Sequence, residues 1–110
     1  MNASTATRRP AAKKDESSEI GIAAFWRFSF NRELLKDSER LQQIKAGFPA
    51  SLVQALRQTF DLQERNVETL LNASISTLER RRREQKNLDS VASERLDRIA
   101  TVSHLAEEAF

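Results

Sequence analysis

Cysteine and tyrosine are absent from this 110-residue chain, and glycine and proline occur only twice each. Without cysteine there is no disulfide framework, no thiolate zinc site and no cysteine nucleophile, which suits a reducing compartment. So few breakers argue against an all-β protein with many tight turns and for a mostly helical one. A single histidine, His104, supplies no histidine cluster for a metal. No uncharged stretch approaches the roughly 20 apolar residues that span a bilayer, and the N-terminus lacks the apolar run of a secretory signal. A glycine-rich loop for nucleotide phosphates is missing too, so no cofactor is expected. What remains is a soluble, intracellular, helical chain of about one domain's length.

The net charge of +2 names no partner, but its distribution is uneven. Residues 76–88 carry +3, whereas 51–75 carry −1 and 89–110 carry −3. A basic block between acidic neighbours is the first functional hint.

Residues 1–19 contain no Leu, Ile, Val or Phe and cannot bury enough surface to offset their ordering entropy, so they read as a disordered tail. Residues 20–33 open with four aromatics between Phe25 and Phe30, and Ile20, Ile22, Ala24, Trp26, Phe28 and Phe30 fall on alternate positions. That period of two predicts an extended aromatic arm. With no second strand in sight, it either docks on a partner, with Trp26, Phe28 and Phe30 as contacts, or caps the chain's own core. From residue 31 the period becomes helical. One helix is expected to run to Gly47, and a second starts with Pro49 in its first turn. A short helix carries Val67, Leu70 and Leu71. Asn72–Ile75 form a turn, Ser76-x-x-Glu79 makes a capping box, and a last helix after Asp89 carries Ala92, Leu96, Ile99, Val102 and Leu105. Overall the pattern predicts an all-α protein: a compact helix-turn-helix bundle of about five helices over 34–110.

The window Glu64–Arg83 carries the function. Counting Glu64 as one, Val67, Leu71, Ala73 and Leu78 occupy positions 4, 8, 10 and 15, where two steeply crossing helices touch, and Asn72 holds the turn at position 9. The second helix is expected from Ser76 to about Gln85. At about 100° per residue, Arg80 and Arg83 share the outward face with Ser76, opposite Leu78. They can meet guanine edges in a major groove. Arg81 and Arg82 flank the buried stripe and suit backbone contacts or structural pairing, and exposed amides at the helix start favour a phosphate. The expected DNA-binding residues are therefore Ser76, Thr77, Arg80, Arg81 and Arg83, with Arg82 and Lys86 on the backbone. Arg83 can also pair with Glu79.

Enzyme chemistry fails on inventory. His104 is expected on the outer part of the last helix, and the adjacent Glu107 and Glu108 point to different sides. The competing reading is a protein-interaction module without specific DNA binding. Two-fold helix-turn-helix proteins make a homodimer the expectation.

Several stretches from Ile44 to Phe110 resemble the N-terminal domain of Xre/MbcA/ParS-type antitoxins, the partners of RES-domain toxins in bacterial toxin–antitoxin operons. Ala46-Gly47-Phe48-Pro49-Ala50 is like that family's GLPA, and Leu70-Leu71-Asn72-Ala73-Ser74 like its LLGIS. Thr77-Leu78-Glu79-Arg80-Arg81 resembles its RTLxRR. Leu88 with Ser93-Glu94-Arg95-Leu96 resembles its L…SDRL, and Ala106-Glu107-Glu108-Ala109-Phe110 its AxEVF. The resemblance implies a cytoplasmic, nucleoid-associated DNA-binding antitoxin that represses its operon and neutralises an NAD-consuming toxin. Glu68, Asn72 and Ala73 depart from the family's alanine, glycine and isoleucine. Such antitoxins continue past the Phe110 position into a toxin-inhibiting domain, so this sequence is expected to be the DNA-binding part of something longer.

Overall fold

A computed structural model describes residues 2–109, with side chains from Ser17 to Ala109. Six helices follow one another: α1 (Asn2–Leu34), α2 (Asp37–Ala46), α3 (Ser51–Phe60), α4 (Glu64–Leu71), α5 (Ile75–Arg83) and α6 (Ser90–Ala109). No strand occurs among the described residues, and the one β-bridge pairs Pro49 with Asn87. No helix among them is long and apolar enough to cross a membrane. The core is built from Val53 and Leu56 of α3, Val67 and Leu71 of α4, Leu78 of α5 and Leu96 of α6, each at most 5% exposed. Burying such aliphatic side chains supplies most of the drive to fold.

Residues 20–33 are not an extended arm; they form the C-terminal half of α1, which packs on α3 and α6. Phe25, Ser29 and Arg32 are buried at spacings of four and three, the period of a helix. Ile20 and Phe30, by contrast, are 70% and 52% exposed. A serine and an arginine on the inward face, with large apolar residues on the outward one, produced the false alternation. The Ser29 hydroxyl is satisfied inside the fold, donating to the Ala100 carbonyl at 2.5 Å. The disordered tail expected over 1–19 falls largely on residues 1–16, whose side chains lie outside the described residues.

The single helix expected from residue 31 to Gly47 is broken at Leu35–Lys36. Lys36 is extended, and its amide donates to Glu39 Oε1 at 3.0 Å, opening α2 afresh. The break lets both helices address α6. Asp97, buried on α6, accepts from Arg32 Nη1 at 3.5 Å and from Arg40 Nη2 at 2.5 Å. The Arg32 guanidinium stacks over Phe28 and Phe48, 4.4 and 5.0 Å from their centroids, and donates to Gln43 Oε1 at 2.7 Å. Burial lowers the Arg32 pKa from its ordinary value, with Asp97 opposing the shift, whereas the hydrogen bond to Asp97 raises that of Arg40.

Gly47 ends α2 with φ 88°, and a Cβ there would lie 2.3 Å from the Leu88 carbonyl oxygen. Pro49 is not in the first turn of α3. It precedes Ser51 by two residues, where Leu88 N–H donates to Phe48 O (2.8 Å) and Ala50 N–H to Lys86 O (3.2 Å). Proline fits here because its neighbours supply the bridge's donor and acceptor groups. Asp89 caps α6, accepting the Ala92 amide at 2.8 Å. The inward stripe of α6 is Ala92, Ser93, Leu96, Asp97, Ala100 and His104, leaving Val102 and Leu105 59% and 55% exposed. His104 is therefore buried rather than outward, because α1 covers that face; its ring meets Phe30 edge-on at 5.6 Å.

Candidate nucleic-acid interface

α4, a three-residue turn and α5 form the helix-turn-helix. Val67 and Leu71 have no exposed surface, Leu78 is 3% exposed and Ala73 is half-buried, so the four touching positions read from spacing do line the seam. Asn72 takes the left-handed conformation at φ 52°, ψ 48°, the turn geometry that asparagine tolerates best after glycine.

The start of α5 differs from the capping box expected at Ser76. The N-cap is Ser74, whose Oγ accepts the Thr77 amide at 3.3 Å and donates to Thr77 Oγ1 at 2.9 Å. The helix thus begins at Ile75 and ends at Arg83, short of Gln85, whose φ of 56° marks the exit. Glu68 supplies a second cap: its Oε2 accepts the Ile75 amide at 2.7 Å. With these amides engaged, the helix N-terminus is largely closed to a phosphate, contrary to the reading of its sequence. Glu68 in this role was invisible to pattern reading, since a separation of seven residues across a turn belongs to no helical period. The acid standing where the resembled family has a small residue was the only available signal.

Glu79, freed from capping, pairs with Arg82 at 2.7 Å instead of Arg83. The hydrogen bond from Arg82 holds the Glu79 carboxyl below the usual carboxylate range and raises the Arg82 pKa. Arg81 Nη1 donates to the Asn87 carbonyl at 2.8 Å, tying α5 to the bridge with Pro49, and Lys86 pairs with Glu84 at 3.4 Å. Arg80 and Arg83 are exposed on the outward face and make no ion pair or side-chain hydrogen bond among the described residues. Ser76 is exposed beside them, and Thr77 is half-buried. The basic block thus divides in two among the described residues: Arg81, Arg82 and Lys86 are engaged within the chain, while Arg80 and Arg83 project with no partner among them. Four arginines in the last turn also complement the helix dipole.

The aromatic residues of the former arm lie elsewhere. Trp26 meets Phe25 and Phe60 edge-on at 5.4 and 6.1 Å, and Phe28 meets Phe48 at 4.9 Å. Both pack within the chain; Phe30 alone of the three is exposed.

A family model described as the antitoxin Xre-like helix-turn-helix domain matches residues 39–100, more than half of the chain. Neither the curated proteins nor the solved structures include a match. The matched span runs from within α2 to within α6 and includes the whole helix-turn-helix, its caps and the bridge that follows. The chain belongs to the antitoxin Xre-like helix-turn-helix domain family.

Proposed function

We propose that this chain is a DNA-reading bacterial antitoxin domain that represses its own toxin–antitoxin operon, with α5 as the recognition helix. The observation that carries this reading is the unpaired, outward pair Arg80 and Arg83 on the second helix of the motif. Each guanidinium suits bidentate donation to guanine O6 and N7. Ser76 and Thr77 lie at the N-terminal end, which enters a major groove first in such motifs. Arg81, Arg82 and Lys86 serve the phosphate backbone, at the expense of their intramolecular partners. The protein works as a homodimer on paired half-sites, with the exposed Phe30, Val102 and Leu105 offering apolar surface for the second copy. Its counterpart in the operon is a RES-type, NAD-consuming toxin, in the manner of the MbcA/ParS group that the sequence resembles, and its place is on the nucleoid.

Titration of duplex DNA from upstream of the chain's own reading frame tests this. Wild type prefers that DNA over scrambled duplex, with affinity falling steeply as salt rises. Arg80→Ala with Arg83→Ala removes about 1–3 kcal/mol of base discrimination per lost contact. Wild-type binding indistinguishable from the double variant would defeat the reading in favour of a protein-interaction module.

A further inference from the structure

The last turn of α1 and the last turns of α6 bring three metal-ligating side chains to one point. His104 and Glu108 are four residues apart and share a face of α6, and Glu33 reaches them from α1. One ligand atom from each lies within 4.8 Å of the others. His104 is the anchor: its side chain is 9% exposed, and Nε2 faces both Glu33 Oε2 and Glu108 Oε1, the latter at 3.2 Å.

A single ring nitrogen carries at most one hydrogen, yet two carboxylates converge on it. A cation shared by all three satisfies the nitrogen lone pair and both acids together. Zinc holds nitrogen and carboxylate oxygen at about 2.0–2.2 Å, so two ligands of a tetrahedral ion stand about 3.4 Å apart. The Glu108–His104 separation of 3.2 Å is close to that spacing, and Glu33, in direct hydrogen-bond contact with Nε2, moves outward to admit the ion. Glu33 and Glu108 are about half exposed, at 51% and 58%, so their carboxylates can settle around an ion without disturbing the core. A cleft of about 410 Å³, lined by Trp26, Phe30, His104, Glu107 and Glu108, opens onto the site and provides a route of entry.

We propose that Glu33, His104 and Glu108 form a divalent transition-metal site, of the zinc class, that clamps the end of α1 to the end of α6. The imidazole selects borderline ions such as Zn²⁺ and Co²⁺ over Mg²⁺ and Ca²⁺, which prefer all-oxygen shells. Three protein ligands leave the fourth position to water. One histidine excludes a histidine cluster, but not a site it shares with acids.

The full chain, freed of any affinity tag, is titrated with Zn²⁺ by calorimetry and with Co²⁺ by visible absorption. Expected are one equivalent of bound metal and the d–d bands of a low-coordinate Co²⁺. The Tm is expected to rise by roughly 10 °C at about a hundredfold excess of Zn²⁺ over Kd. Glu33→Gln and Glu108→Gln, both at half-exposed positions, should keep the helical circular dichroism and each weaken Zn²⁺ binding about tenfold or more. No saturable binding to wild type, or wild-type affinity retained by both variants, would overturn the site and leave the three residues as an ion-pair cluster. None of these readouts involves DNA, so failure of this site leaves the reading of α5 untouched.

Discussion

Glu68 accepts the amide of Ile75 at 2.7 Å, so the first helix of the motif reaches across the turn and caps the second with its own carboxylate. The contact fixes the relative placement of the two helices by one charged hydrogen bond. It also puts a negative charge at the end of α5 where a DNA phosphate would otherwise be drawn.

These two effects have opposite signs, which makes them separable. Glu68→Ala is expected to cost about 1–2 kcal/mol of stability in urea unfolding. The same change should strengthen binding to nonspecific duplex at low salt, because an acid beside the phosphates is gone. Glu68→Gln keeps an acceptor and loses the charge, so it should share the gain in binding at a smaller loss in stability. Weaker nonspecific binding by both variants would show that the carboxylate only organises the helix.

Asp97 is the joint of three helices, and removing it should be felt across the whole fold. Asp97→Ala leaves Arg32 charged, buried and without a counter-ion, a change expected to cost about 3–5 kcal/mol. For a domain of this size that lowers Tm by roughly 15 °C or more. Replacing Arg32 by Met in the same protein should return part of the loss, since the orphaned charge goes with it. A double variant no better than Asp97→Ala would place the cost in Arg40 and Thr101, the other partners of this network.

The Glu79–Arg82 pair gives a pH dependence with a defined sign. The folded-state pKa of Glu79 lies below its unfolded value, so the pair's contribution is complete above the ordinary carboxylate range. It disappears as pH falls through the depressed folded value. Both side chains are more than a third exposed, so solvent screening holds the contribution to about 0.3–0.5 kcal/mol. Wild type minus Glu79→Gln, measured by urea unfolding from pH 7 downward, should shrink towards zero in acid. A gap that widens on acidification would contradict the pairing.

What could be read from the residues depended on how regularly they repeat. The seam of the helix-turn-helix was legible because Val67, Leu71 and Leu78 are apolar at positions that are buried. The outward placement of Arg80 and Arg83 followed from helical geometry alone. The form of α1 was not legible. Its inward face carries Ser29 and Arg32, whose partners Ala100 and Asp97 lie 71 and 65 residues away. Similarly, Ser76 offered the better capping pattern, but Ser74 won because Glu68 had already claimed the Ile75 amide. Both failures concern polar groups satisfied outside any helical period, across 71 and 65 residues for Ser29 and Arg32 and across a turn for Glu68 and Ile75.

The bridge between residues 48–50 and 86–88 bears on how α5 can meet a ligand. Its start is held by Glu68 and Ser74, and its exit is laced through Arg81 and Asn87 to the entrance of α3. A helix of nine residues alone would fray in water. Fastened at both ends, it is held in one orientation relative to the core. Under the proposed DNA-reading role, docking would order mainly exposed side chains such as those of Arg80 and Arg83. Any mismatch of shape then falls on the duplex, so flexible base steps beyond the reach of Arg80 and Arg83 would influence affinity.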